Sequence, residues 1–400
     1  MLSFSTYLVE SANEEQLTHL EHAEDHPINA GEEGFKHAFN TLNETHSALL
    51  GKRSKVSLST KYDGSPSIVF GHHPEFPRFF VASKSAFNKN PKLNFTEADI
   101  EKNHGHSPGL VAKLKAALHH LPKVTPNEGV FQGDVMYNKT DKDVSDSGGS
   151  YHFKPNTITY SAKKGSEEGQ KIKAAKFGVA VHTAYRGDTL ENMKAEYNTD
   201  TSKFNSHPDV HVIDTQFDPK TAYYTPDAQQ EYHSHMAKAV EAHNDLPNYD
   251  HLEGHDESLK TYINSTVRDT SKPSVEGYKK HLQGSLQKGI DKVKTDKAKQ
   301  NKAADMNEKL DHIDTNKDAF KKTLDIHKHL QNAKNVLVQT MSNADYKFHH
   351  SIDGKASKPE GHVAVLNNRP TKLVKRENDE FTGESGFSSA NFRNQTRRSK

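Results

Sequence analysis

The stretch "STKYDGSPSIVFG", residues 59–71, sets a single lysine, Lys61, two positions ahead of an Asp63-Gly64 pair. Runs rich in β-branched and apolar residues, "KVSLST" and "SIVFG", lie on either side of it. At a hairpin edge that lysine is exposed and does nothing further. Held between strands, it must be paired or neutralised. A neutral lysine amine is a nucleophile, but its ordinary pKa of about 10.4 must first fall through burial, a neighbouring cation or a metal.

The elements that must hold such a lysine change character along the chain. Residues 1–50 read as helical: "EEQLTHLEHAED" and "EEGFKHAFNTLNETHSALLG" repeat apolar residues every three or four positions, and the second closes on a glycine suited to a C-cap. From Val56 the pattern is of strands. "RFFVASKS", "GVFQGDVMYN", "SYHFKPNTITYSA" and "KFGVAVHTAYRG" are short β-branched or aromatic runs bounded by Gly, Pro, Asn and Asp, with one helix, "SPGLVAKLKAALHHL", among them. From about Pro226 to Asn343 the chain is rich in Lys, Asp, Glu, Gln, His and Ala at helical spacing, with thin apolar stripes. Strand patterns resume in "EGHVAVLNN" and "RPTKLVKREND", joined by a turn at Asn367-Asn368-Arg369-Pro370. The expected fold is α+β: a mainly antiparallel sheet domain split in sequence by a helical insertion. The expected boundaries are 1–55 for N-terminal helices packing on the sheet domain, 56–220 for its first part, 221–350 for the insertion, 351–380 for the closing strands and 381–400 for a basic polar tail.

Composition narrows the classes. Four hundred residues suffice for two domains or for one with a large insertion. With 54 basic and 53 acidic side chains the chain is no general nucleic-acid coat, so any polyanion site must be local. The absence of cysteine excludes disulfides, thiolate zinc sites and thiol catalysis, and fits a reducing compartment. No apolar run approaches the roughly 18 residues of a membrane span, and acidic residues follow the N-terminus too soon for a signal peptide. A cytoplasmic protein without membrane contact is expected. The apolar share, 32%, is low against the usual ~45–50%, and the deficit lies mostly in the helical middle.

Lys-Tyr-Asp-Gly at 61–64 resembles the first signature of the covalent nucleotidyltransferases, the DNA ligases, RNA ligases and messenger-RNA capping enzymes, in which K-x-D-G carries the lysine that takes the nucleotide. Four further stretches resemble later signatures, in the same order: "EGVFQGDVMY" with Gly133 and Asp134, "AKFGVAVHTAY" with its aromatic, "EGHVAVL" opening on Glu360, and "TKLVKRE" with its lysines. The resemblance spans 56–187 and 355–380. The usual continuation into an OB-fold domain with a further basic signature has no counterpart in the two dozen residues after Lys375, which points to the RNA-ligase branch often encoded by bacteriophages. A phage-encoded enzyme would work in the host cytoplasm.

The resemblance implies an ATP-dependent polynucleotide ligase, with RNA favoured over DNA. Lys61 would form a lysyl-adenylate, pass AMP to a 5′-phosphate end and so prepare it for sealing by a 3′-hydroxyl. ATP with Mg²⁺, or Mn²⁺ in its place, would be the cofactors. Glu360 would hold metal, Asp134 would contact metal or ribose, and Asp63 with Gly64 would shape the loop around Lys61. Lys84 would face the phosphates and Phe177 would stack on the adenine, with Tyr185 as competitor. The family's K-x-K is here K-x-x-K, so Lys372 and Lys375 would face oppositely on an unbulged strand. Lys372 is preferred as the inward one, with Arg376 on its face. The alternatives left open are GTP as donor, a minimal DNA ligase, protein adenylylation or another nucleotidyl transfer, and a binding or structural protein that keeps the fold without the reaction.

Three other patterns carry blander readings. His19, His22 and His26 at helical spacing could suit zinc but read as a solvated face in a chain of 27 histidines. "DTNKDAFKKTLD", 314–325, approaches a calcium loop but has Ala319 where glycine is needed and Asp325 where Glu is needed, so it reads as a helix start. The lysine-rich arm reads as a solvated helical surface that could touch a polynucleotide backbone.

Overall fold

The structure, a computed structural model, describes residues 20–376 apart from 77, 142 and 198. The tail expected at 381–400 lies outside them, as does the first half of "EEQLTHLEHAED", His19 included. The fold class is α+β, with antiparallel sheets beside helices. The chain forms two compact units, one holding Ser57–Asp218 with Asp345–Pro370, the other Glu21–Val56 with Pro219–Ala344 and the segment from Thr371. The N-terminal helix expected to pack on the sheet domain is thus part of the helical unit.

The sheet unit contains β1 (Ser57–Lys61), β2 (Ser67–His72), β3 (Phe79–Ala82), β4 (Val130–Asn138), β5 (Val144–Ser147), β6 (Ser150–Phe153), β7 (Thr159–Lys163), β8 (Phe177–Arg186), β9 (Lys194–Tyr197), β10 (Val210–Asp214), β11 (His349–Ile352), β12 (Lys355–Ala356) and β13 (Gly361–Leu366), and the unit boundary falls within β14 (Arg369–Leu373). The largest sheet has the order β10-β8-β4-β2-β3, with β9 also on β8; only β10 runs parallel to its neighbour. A second sheet is β12-β11-β7-β6-β5, antiparallel throughout. In the third, β1-β13-β14, Lys61 stands opposite Gly361. Asn367 and Asn368 take φ of 52° and 57°, the left-handed pair that a two-residue hairpin turn requires.

Period-two alternation decides which side of β8 does what. Phe177, Val179 and Val181 point into a core with Leu114, Ala117 and Leu121, on and just after the helix Pro108–His120. Gly178, Ala180 and His182 fall on the other face. Beneath the end of β1 lies an aromatic layer in which Tyr62, Phe153, Tyr160 and Phe348 meet at ring separations of 5.4–6.1 Å. These rings exclude water under the lysine strand.

In the helical unit, helices His26–Leu49, Pro226–Asn244, Asp256–Asp269, Val275–Asp291, Asp296–Thr315 and Lys317–Met341 bear out the helical spacing. Thin apolar stripes do hold them: Leu259, Ile263, Tyr278, Leu282, Ile313 and Phe320 share one core. Residues 20–25 are not the expected helix but an extended entry and a 3-10 turn, Ala23–Asp25. His22 and His26 are buried rather than solvated, because Lys334 and Glu24 surround the first while Glu21 and Thr371 bond the second. The stretch 314–325 spans a helix junction at Asn316, not an ion-binding loop. Among the described residues no helix is long and apolar enough to cross a membrane.

Candidate functional site

Lys61 ends β1, and its amine donates to the Glu360 carboxylate at 2.5 Å. That contact follows from register, since Lys61 pairs with Gly361 and Glu360 is the residue just before it. The Glu360 side chain is 7% exposed, the Lys61 side chain 27%. Burial acts to lower the Lys61 pKa, but Glu360 first, then Asp134 and Asp63, outweigh it and hold the amine above the ordinary lysine range. The lowered pKa expected of a nucleophile is therefore not a property of the resting site, because carboxylates rather than cations surround it.

Asp63 is anchored by the loop between β6 and β7. Its Oδ1 accepts from Asn156 Nδ2 at 2.7 Å, and its Oδ2 accepts from the backbone N–H groups of Thr157 and Ile158 at 2.7 and 3.0 Å. Its own N–H donates to the Tyr160 hydroxyl at 2.7 Å. Every polar atom of the Asp63 carboxylate is committed to loop shape.

Gly64 brings that loop onto β4. A β-carbon there would lie 2.5 Å from Cβ of Asp134 and 2.9 Å from Sδ of Met136, so only glycine allows the approach. The loop then continues the ladder, with the Ser65 N–H donating to the Val135 carbonyl and the Val135 N–H to the Pro66 carbonyl, both at 2.9 Å. A bulge lies between Gln132 and Gly133 where β4 meets β8, and a β-carbon on Gly133 would lie 2.7 Å from the Ala180 carbonyl oxygen. The extra residue of that bulge is His182 on β8, and a bulge re-aims such a side chain.

Asp134 Oδ2 is 3.8 Å from His182 Nε2, across the open face of β8. Burial pushes the Asp134 pKa up, but His182, Lys61 and Ser67 outweigh it and hold the carboxyl below its usual range. Lys61, Asp63, Gly64, Asp134 and Glu360 thus form one constellation drawn from three separate stretches of chain. Among the described residues no group of three or more His, Cys, Asp or Glu side chains is gathered as a metal centre. Two oxygen-donor side chains nonetheless suit Mg²⁺, which takes one or two carboxylates and completes its shell with water and substrate phosphates.

Of the remaining expected residues, the two aromatics are core. Phe177 is 0% exposed on the helix-facing side of β8, opposite to the face of His182, so its ring is core and has no surface on which adenine could stack. Tyr185 is likewise buried, its hydroxyl donating to Gln132. Lys84 is exposed in a 3-10 turn after β3. Lys372 stands in β14, next to β13 in the sheet that contains Lys61, with its backbone N–H donating to the Glu21 carbonyl at 2.7 Å, while Lys375 Nζ donates to Gln339 at 2.6 Å in the helical unit. Arg376 is held there by Asp25 in a two-pronged pair at 2.7 and 2.5 Å.

Sequence reasoning missed His182, Ser67 and the Asn156–Ile158 cradle. The alternation of "KFGVAVH" was enough to set His182 on the face opposite Phe177. "KPNT" signals a turn, but nothing local says whose carboxylate its N–H groups will bind.

A family model described as a family of unknown function (DUF6267) matches residues 13–396. No curated protein and no solved structure matches the chain.

Proposed function

The chain belongs to this family of unknown function, and from its site we propose that it is an ATP-dependent polynucleotide ligase with RNA as the favoured substrate. The observation that carries the reading is the pairing of Lys61 with Glu360 beside Asp134. A K-x-D-G lysine and two carboxylates distant in sequence converge although neither local pattern nor composition requires it.

The chain's own groups can be given roles. Lys61 Nζ attacks the α-phosphorus of ATP; an N–P bond forms, the P–O bond to pyrophosphate breaks, and the amine loses its protons. Glu360, at 2.5 Å, is the acceptor within reach of the proton that must leave first. A 5′-phosphate oxygen then displaces Lys61 from the adenylyl phosphorus, and a 3′-hydroxyl displaces AMP from the activated end. Asp63 fixes the loop and leaves the amine free to move between substrates. Glu360 and Asp134 are the residues that would hold Mg²⁺ or Mn²⁺, which supplies charge neutralisation at the phosphates.

The test is incubation with α-labelled ATP and Mg²⁺. An acid-labile label on the wild type that is lost in Lys61→Ala is expected; no label, or equal label on both, overturns the reading. Label from GTP in place of ATP would change the donor. Nicked DNA and broken RNA offered to the adenylated protein separate the two ligase readings.

A second reading, a binding protein that keeps the constellation without the chemistry, is favoured by one observation: the resting Lys61 amine is ion-paired and its pKa is raised. It expects no label under any divalent ion. The same experiment decides.

A further inference from the structure

The sheet β12-β11-β7-β6-β5 buries one face and leaves the other open. Val144, Phe153, Tyr160 and His350 are in register across β5, β6, β7 and β11, and this row lies on the inner, aromatic side. The adjacent row, Ser145, His152, Ser161 and His349, must then point outward, because neighbouring residues on a strand face opposite ways. All four are exposed or half-buried. The flanking cross-strand pairs on the same face are Ser150 with Lys163 and Thr159 with Ser351. Across these four strands the open face carries only hydroxyl, imidazole and lysine side chains.

A protein partner would want an apolar, aromatic centre there, which this face lacks. Phosphodiester backbones are instead contacted by hydroxyls and lysines, and a face without carboxylates sets no charge against them, in a chain that carries 53 acidic residues. Lys154 adds a further cation at the rim, in a weak exposed pair with Asp353 at 3.5 Å. One end of the sheet adjoins the candidate site through a loop. The loop Lys154–Ile158, joining β6 to β7, is the one whose Asn156, Thr157 and Ile158 bind Asp63 beside Lys61.

We propose that this open sheet face, next to the Lys154–Ile158 loop, is the docking surface for the phosphodiester backbone of a single polynucleotide strand. The proposal rests on the ligase reading for its purpose, but binding is measurable without any reaction.

The experiment is fluorescence anisotropy of labelled single-stranded RNA, and of DNA of the same sequence, titrated with the full chain at several salt concentrations. Lys154→Gln/Lys163→Gln is expected to flatten the slope of log K against log salt by about 1.4, at ~0.7 for each neutralised contact to a single strand. Ser161→Glu, which puts a carboxylate in the middle of the outward row, is expected to remove binding at moderate salt. Lys297→Gln/Lys299→Gln, exposed on a helix of the other unit, should change neither value. Unchanged binding in both face variants, or an equal loss in the helical control, overturns the proposal. Labelling with α-labelled ATP is run alongside: a wild type that binds the strand but takes no label removes the ligase reading and leaves the docking surface standing. A face variant that loses binding while keeping its label places the defect in docking rather than in folding.

Discussion

Asp63→Ala tests whether the loop beside Lys61 is built by the carboxylate that anchors it. The substitution removes the acceptor of three hydrogen bonds, one from Asn156 Nδ2 and two from the backbone N–H groups of Thr157 and Ile158. Asp63 is 6% exposed, so water cannot readily replace it. An orphaned buried donor costs about 1–3 kcal/mol. The Asn156 side chain can turn toward solvent but the two backbone groups cannot, so the expected loss is about 2–5 kcal/mol. Asp63→Asn is the informative partner. Its carbonyl oxygen can still accept from Thr157 and Ile158, and its amide finds an acceptor once the Asn156 amide turns over, so about 1 kcal/mol is expected. The assay is urea unfolding followed by circular dichroism, with the transition of the sheet unit fitted separately from that of the helical unit. An alanine variant within ~0.5 kcal/mol of wild type, or an asparagine variant as damaged as the alanine one, refutes the account of Asp63 as the loop's anchor.

The other predictions concern packing and charge. Gly64→Ala is expected to cost about 1–3 kcal/mol and to lower labelling of Lys61, since its β-carbon would press on Asp134 at 2.5 Å; stability and labelling both like wild type would show that the approach is not needed. Burial pushes His120 and His350 down to about 4 and His362 to about 3. Their folded values lie below the unfolded value of about 6.5, so the unfolded chain binds more protons as pH falls, and stability present above about pH 6.5 is lost on the way down to 4. Together these histidines should cost the sheet unit roughly 2 kcal/mol between pH 7 and 6; a flat urea midpoint over that range would exclude neutral burial of all three. In the helical unit, Lys334 and Glu24 are both 0% exposed and bonded at 2.7 Å. Glu24→Leu alone should cost about 3–5 kcal/mol by stranding a buried charge, and Glu24→Leu with Lys334→Met should recover most of it, as read from urea midpoints.

Local patterns exposed the elements more fully than the site. β1, β2, β4, β8 and the helix Pro108–His120 fall where alternation and apolar spacing set them, because each buries a face that its own sequence declares. The polar strands β5, β9 and β12 carry no such declaration: "VSDS" and "KAEY" are strands only because a neighbour completes their hydrogen bonds. At Glu21 and His22 the spacing predicts helix, but the buried bridge of His22 to Lys372 overrides it. At the site, K-x-D-G pointed to Lys61, and Glu360 and Asp134 came with it through order along the chain. Phe177 failed for a reason the strand itself held. In "KFGVAVH" the aromatic and the histidine lie five residues apart, so they face opposite ways, and the apolar face is the one with a helix to bury it.

The raised pKa of Lys61 bears on how the site could work. An amine held protonated by a carboxylate cannot attack phosphorus, yet the same carboxylate is the base best placed to take the proton away. These are two descriptions of one short contact, and which applies depends on what else binds Glu360 and Asp134. While their charge faces the amine, the proton stays. Once that charge is engaged elsewhere, burial over the aromatic layer is what remains, and burial alone lowers a lysine pKa. The acidic neighbours of Lys61 therefore do not argue against a nucleophile. On the proposed reading they would keep it inert until a ligand that competes for those carboxylates arrives, which is the condition under which reaction would be useful.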